Sequence, residues 1–455
     1  MKRTLAEFAS VCGGTLQGPD RTFTGVSSDT RTIIRGELFV ALRGPRFNAN
    51  EFLAAAEAAG AAGAVVDSAH GGALPQIVVA DTQAALERMS TAWRDQFAIP
   101  LVGVAGSNGK TTAKEMTATI LSKSGNCLAT RGNLNNHIGV PLTILRLEET
   151  DRFAVVEMGA NRAGEVAALV RIARPTVGMI TNAGAEHLEG FGTLEGVARA
   201  EGEMVEGLAP GATAVINADD EFAPLWRTMT PARVVTFGLK KAADFAASDI
   251  RTTVGAEGFV TRFTLTSPAG RAAIELNMGG RHNVSNALAA AAAATAAGAT
   301  LEHVVAGLSA VRAVAGRLQF KKALSGAWLI DDSYNANPSS MRAGIDVLAE
   351  LEGRKWLVVG DMAELGEYSD SSHAEVGAYA RERGIERVYA TGPLSARTVE
   401  SFGAGAQWFA DSQSLADALA LASADVRMLI KGSRVNRLER VVEALVGSTG
   451  KTGGH

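Results

Sequence analysis

The stretch Leu101-Val-Gly-Val-Ala-Gly-Ser-Asn-Gly-Lys-Thr-Thr112 decides the fold. Its first five residues are small or branched and apolar, as in a strand covered on both faces. Gly106-Ser-Asn-Gly109 is a turn, and Ala113 to Ser122 continues as a helix. A turn between a buried strand and a helix aims its amides and the positive helix end at phosphate oxygens. Lys110 is predicted to reach the β- and γ-phosphates, and Thr111 to bind Mg²⁺. The strict spacing wants glycine where Val104 stands, and Gly106 supplies it two residues later, so the motif is a shortened variant. The bland alternative, a glycine-rich turn with a surface lysine, leaves the strand and helix unexplained. A second Gly450-Lys-Thr452 has neither a strand before it nor a helix after it and is discounted.

Outward from this motif the chain keeps a strand–helix rhythm. Strands are predicted over 153–157, 177–181 and 214–217, with helices over 165–172 and 192–208. That alternation implies a mostly parallel sheet with helices on both faces. Residues 249–277 read as antiparallel strands around a Ser267-Pro-Ala-Gly270 turn. Upstream, strands over 36–42, 63–67 and 76–80 surround a helix over 51–60, and Asp81 caps a helix reaching Phe97. Downstream of Arg317, strands over 327–331, 355–360, 387–390 and 426–430 alternate with helices. A chain of 455 residues suits about three domains at roughly 150 residues each. The expected fold is α/β with three domains. They are a smaller N-terminal α/β domain over 1–80, a central P-loop-type, mostly parallel sheet over 81–313, and a C-terminal Rossmann-like domain over 314–455. The tail from Gly447 to His455 is expected to be disordered.

Lys plus Arg is 44 and Asp plus Glu is 48, a net charge of −4, which argues against nucleic acid as the main partner. A hydrophobic fraction of 47% excludes a long disordered chain. Two cysteines, Cys12 and Cys127, build neither a disulfide framework nor a Cys-rich zinc site, so a cytoplasmic location is expected. The N-terminus carries Glu7 within its apolar stretch and lacks a secretory h-region. The alanine-rich run from Val284 to Leu301 is too weakly apolar for a membrane span and reads as a buried helix.

Further candidates follow strand ends, where open α/β sheets bind ligands. Glu157 ends an apolar strand and can hold Mg²⁺, although a strand-end carboxylate also caps loops. His187 follows another strand, and a lone histidine is more often structural. Asn283 and Asn286 lie three apart at a helix start and share a face able to meet a base or ribose; N-capping by Asn283 is the plainer reading. The polar loop Asp331-Asp-Ser-Tyr-Asn-Ala-Asn-Pro338 follows a strand, as do Gly360-Asp-Met-Ala-Glu-Leu-Gly366 and Lys431-Gly-Ser-Arg434.

Taken in order, these segments resemble the Mur ligase family over almost the whole chain. The resemblance also takes in Ser28-Asp-Thr-Arg31, Leu38-Phe-Val-Ala-Leu42, Asn133-Leu-Asn-Asn136, Gly139-Val-Pro141, Glu157-Met-Gly-Ala-Asn161, His187-Leu-Glu-Gly-Phe-Gly192 and Gly316-Arg317. The 331–338 and 360–366 loops resemble those of the member that adds D-alanyl-D-alanine to UDP-N-acetylmuramoyl-tripeptide. The resemblance implies an ATP- and Mg²⁺-dependent amide ligase of cytoplasmic peptidoglycan precursor synthesis, working through an acyl phosphate, and expected to be a monomer. It implies ATP contacts from Gly106, Ser107, Asn108, Gly109, Lys110, Thr111, Thr112, Asn283, Asn286, Arg317 and Asp332. It implies metal contacts from Thr111, Glu157, His187 and Glu201, UDP-substrate contacts from Ser28, Asp29, Thr30 and Arg31, and D-Ala-D-Ala contacts from Tyr334, Asn335 and Asn337. Lys110 and His187 are implied to be catalytic. At Glu201 the family usually has a carbamylated lysine that helps hold the second Mg²⁺. No lysine occurs between Lys123 and Lys240, so Glu201 is expected to supply that carboxylate itself, through a water. The competing reading is a solvated helix glutamate beside Arg199. Two rival functions stand at this point: a folylpolyglutamate synthase-like or other ligase of the superfamily, and a nucleotide-gated switch that does not ligate. Whether the third peptide residue is lysine or diaminopimelate is left open.

Overall fold

The computed structural model describes residues 1–44, 47–255 and 258–447. The tail beyond Gly447, with its Gly-Lys-Thr decoy, lies outside the described residues. Three main sheets follow one another along the chain. The first has five strands in the order Thr15–Gln17, Gln76–Val78, Gly63–Val66, Leu38–Val40 and Val26–Ser27. Only Thr15–Gln17 runs antiparallel. Asp81 caps the helix Thr82–Arg94 by accepting from Ala84 N, as its position before an apolar-periodic run predicts.

The second sheet has nine strands. Its order is Asn126–Ala129, Asp151–Glu157, Leu101–Ala105, Val177–Ile180, Thr213–Asn217, Arg233–Gly238, Phe245–Gly255, Gly258–Ser267 and Gly270–Leu276. The first seven are parallel, and each of the last two pairs antiparallel with the strand before it. Leu101–Ala105 is buried at every position because both its edges are paired and both its faces covered. The strand order reverses around Leu101–Ala105, so the loops after it and its two neighbours diverge and leave a crevice at their carboxyl ends.

The alanine-rich helix Arg281–Ala296 is buried along nearly its whole length. Its small side chains let it lie close to the phosphate-loop helix, Lys110–Leu121, and both belong to one apolar cluster. The helix Leu301–Ala310 also packs on the phosphate-loop helix; a β-carbon on Gly307 would sit 2.5 Å from Ile120 Cα.

The third sheet has six strands in the order Gln319–Lys322, Trp328–Asp332, Val426–Lys431, Arg354–Val359, Arg387–Thr391 and Ala406–Phe409, the first antiparallel and the rest parallel. It meets the second sheet through an aromatic run. Phe259 stands edge-on to Phe320 with centroids 5.2 Å apart, and Phe320 stacks on Trp328 at 4.6 Å. Among the described residues, no helix is long and apolar enough to cross a membrane.

Candidate active site

The phosphate loop is fixed from below. Gly106 has φ +120° and Gly109 φ +83°, a region that favours glycine. A β-carbon on Gly106 would lie 2.2 Å from Thr181 Oγ1, and one on Gly109 2.3 Å from Asn286 Oδ1. Asn108 N donates to Asn182 Oδ1 at 3.0 Å, while Asn108 O accepts from Thr181 Oγ1 at 2.7 Å and Asn182 Nδ2 at 2.9 Å. The loop after Val177–Ile180 thus sets the loop after Leu101–Ala105. Lys110 opens its helix, and its Nζ donates to Gly106 O, to Ser107 O at 3.2 Å and to Glu186 Oε1 at 3.3 Å. Burial works to lower the Lys110 pKa, but Glu186, Glu201 and Glu157 hold it above the usual lysine value. Lys110 is therefore held in its charged form. Sequence reasoning passed over Glu186; an acidic residue directly before His187 was the available signal.

Two cavities open beside the loop. One, of about 300 Å³, is lined by Ser107 to Thr112, Glu157, Glu186, His187, Arg317 and the Tyr334–Asn337 loop. The other, of about 310 Å³, is lined by Asn108, Gly109, Thr112, Asn283, Asn286, Arg317, Asp332 and Lys431. The expected nucleotide and amine-substrate residues are thus brought together from two sheets. Asn283 does not cap its helix. Gly280 takes that position, and Asn283 Nδ2 donates to Gly279 O at 2.8 Å, leaving Asn283 Oδ1 to accept from Asn286 Nδ2 at 3.2 Å. Arg317 lies over the Tyr334 ring, 4.3 Å from its centroid. Asp332 is buried; it accepts from Leu318 N at 3.2 Å and pairs with Lys431 Nζ at 2.5 Å. Asn337 Oδ1 accepts from Ser340 N and Ser339 Oγ, and its Nδ2 donates to Asn108.

Glu157 is 3% exposed. Its Oε1 accepts from Asn135 Nδ2 at 2.8 Å, and its Oε2 is buried with no hydrogen-bond partner. An orphaned carboxylate oxygen on a phosphate-site cavity is the kind of donor Mg²⁺ takes. Thr111 and His187 line the same cavity. His187 Nδ1 faces Glu364 Oε2, which brings the 360–366 loop onto the site.

Glu201 departs from the reading of a solvated helix glutamate beside Arg199. It is 3% exposed, so it is not a solvated helix residue, and Arg199 pairs with Glu195 instead. It does not line the cavity that holds Glu157 and His187; its Oε2 accepts from Gly106 N at 2.6 Å. Among the described residues, no three His, Cys, Asp or Glu side chains are grouped so as to hold a metal ion.

Ser28 to Arg31 form the turn that follows the first-sheet strand Val26–Ser27 and line neither cavity. Arg31 grips Asp29, with Nη2 at 2.6 Å from Oδ2, and that hydrogen bond lowers the Asp29 carboxyl to about 2.

Residues 104–294 match the Mur ligase middle domain, and 316–434 match the Mur ligase, glutamate ligase domain. The UDP-N-acetylmuramoyl-tripeptide–D-alanyl-D-alanine ligase of Escherichia coli K12 is 44% identical over 97% of this chain and 98% of its own. This chain belongs to the Mur ligase family. The Mur ligase crystal structure of MurF from Acinetobacter baumannii superposes with a TM-score of 0.91 at 33% identity, covering 98% of this chain and 99% of that one. The MurF ligase of Thermotoga maritima, a complex with ADP, gives 0.80 at 27% identity, covering 92% and 96%. With membership shown, the α/β fold expected of a Mur ligase is the fold observed.

Proposed function

We propose that this chain is the ATP-dependent ligase that joins D-alanyl-D-alanine to UDP-N-acetylmuramoyl-tripeptide in peptidoglycan precursor synthesis. The carrying observation is that the phosphate loop and the Tyr334–Asn337 loop line one cavity, in a chain whose relatives of full length bear that activity in their names. Residues 1–80 bind the uridine nucleotide, 81–313 bind ATP, and 314–455 bind the dipeptide and close over ATP.

A terminal carboxylate of the peptide attacks the γ-phosphorus, ADP leaves, and an acyl phosphate forms. The dipeptide amine then attacks the acyl carbon, phosphate leaves with the bonding pair, and the amine gives up a proton. Lys110 and the loop amides stabilise charge on the transferring phosphoryl group, and the two-sheet cleft orients the reactants. Arg317 approaches the nucleotide from the third sheet. Glu157, through its orphaned oxygen, together with Thr111 and His187 would hold Mg²⁺, which neutralises phosphate charge when bound. Tyr334 and Asn335 face the dipeptide.

The test is phosphate release with ATP, the UDP-tripeptide and D-Ala-D-Ala, each omitted in turn, with the amide product identified by mass. Release that needs all three supports the reading. Release independent of the dipeptide favours a nucleotide switch, and dependence on glutamate favours a folylpolyglutamate synthase-like enzyme.

A further inference from the structure

Three side chains close a ring between the second and third sheets. Asn337 Nδ2 donates to Asn108 Oδ1 at 2.8 Å, Asn108 Nδ2 donates to Ser339 Oγ at 3.0 Å, and Ser339 Oγ donates to Asn337 Oδ1 at 3.0 Å. Each group gives one hydrogen bond to the ring and receives one from it. Turning either carboxamide over would set oxygen against oxygen or amino group against donor, so the ring fixes both orientations.

Both ends of the ring are anchored. On the phosphate-loop side, the Asn108 backbone is held by Thr181 and Asn182. On the other side, Asn337 is the N-cap of the helix Pro338–Ala349, and its Oδ1 accepts from Ser340 N at 2.8 Å. Gly184 packs against the ring without a side chain. A β-carbon there would come within 2.9 Å of Asn108 Nδ2 and 3.2 Å of Ser339 Oγ. The Asn337 oxygen, with two bonds made, has no acceptor capacity left for a dipeptide.

We infer that Asn337 and Ser339 are positioning residues for the phosphate loop, through which seating of the C-terminal sheet sets Asn108 and with it the ATP cradle. This rests on the ligase reading above. It moves Asn337 from the dipeptide contacts implied by resemblance to the nucleotide side. Because coupling between binding and closure is reciprocal, weakening the ring weakens ATP binding even though neither side chain need touch ATP.

The full-length enzyme tests this with Asn337→Asp and Asn108→Ala, singly and together. Aspartate caps a helix as well as asparagine does and keeps the acceptor for Ser339, but it cannot donate to Asn108. Wild-type ligation is measured first; its absence would defeat the ligase reading itself. With wild-type turnover in hand, each single variant should raise KM for ATP roughly fivefold, the worth of about one hydrogen bond. KM for D-Ala-D-Ala should stay within about twofold, and the double variant should be no worse than the worse single, as for partners in one network. A rise in KM for D-Ala-D-Ala with ATP unaffected would return Asn337 to the dipeptide site and overturn the inference. Losses that multiply in the double variant would overturn it as well. Should Asn337→Asp fail to fold, Ser339→Ala breaks the same ring from a position that leaves the cap in place, and the same criteria decide.

Discussion

Glu201 holds the first amide of the phosphate loop with a single carboxylate oxygen, and the two obvious substitutions separate what that does. Glutamine keeps an acceptor for Gly106 N, whereas alanine leaves that donor without one. We expect Glu201→Gln to turn over within about threefold of wild type with an unchanged Mg²⁺ requirement, and Glu201→Ala to lose roughly tenfold or more, the scale of a misplaced catalytic loop. Steady-state assays across a Mg²⁺ titration check both; a steep Mg²⁺ dependence in Glu201→Gln would place the residue in the metal site. Burial raises the Glu201 carboxyl to about 7, against the lowering effect of Lys110. The sign follows directly. Between the ordinary value near 4.5 and about 7 the unfolded chain releases a proton that the folded chain keeps, so this residue costs stability as pH rises through that window. Denaturant titrations at pH 5 and pH 8 should show Glu201→Gln gaining on wild type at the higher pH, by on the order of 3 kcal/mol at most. Lys110, which shares this buried cluster, has no substitute. Lys110→Ala should lower ligation by about 10²–10³-fold or more, and an enzyme keeping half its turnover would refute the phosphate-loop assignment.

At the scale of elements, close approach is what the phosphate-loop helix depends on. Gly307 lets Leu301–Ala310 touch the backbone of that helix, so Gly307→Ala must push the two apart. We expect a cost of about 1–3 kcal/mol, read as a drop in Tm of several degrees. The strand–loop–helix around Lys110 was legible in the sequence because three local signals agree there: a buried apolar strand, glycines at two turn positions and a helix start. The cap at Asp81 was legible for the same reason. The strands Asn126–Ala129 and Gln319–Lys322 were not: each lies at a sheet edge, is short, and carries polar residues where a hydrophobic pattern would be needed. Arg233–Gly238 did carry a pattern, Val234-Val-Thr-Phe237, and it was simply passed over. The Asn108 ring lay beyond reach altogether, since its members are 229 and 231 residues apart along the chain and no local rule pairs asparagines.

For the molecule as a whole, the two large sheets meet with strand carboxyl ends facing one cleft, and His187 and Glu364 close one side of it. Both have positive φ, 51° and 63°, and Glu364 is about half exposed. Glu364 therefore adds little to folding, and Glu364→Ala should leave Tm within about a degree. Turnover should fall severalfold if this contact helps hold the cleft shut, as lid contacts do. Parallel melting and phosphate-release measurements check the pair of outcomes, and unchanged turnover would show that the contact is incidental to catalysis.

The aromatic run Phe259–Phe320–Trp328 sits where the second and third sheets join, and it carries its own optical signal. Indole emission responds to neighbours within a few ångströms, and Trp328 has Phe320 stacked on one ring face and Lys322 Nζ 5.5 Å from its centroid. Any rotation of the third sheet against the second slides Phe259 past Phe320 and alters the surroundings of that indole. The joint thus doubles as a built-in fluorophore. The difference spectrum between wild type and Trp328→Phe isolates it from the other four tryptophans, so cleft motion can be followed in real time in the unlabelled enzyme as nucleotide is added.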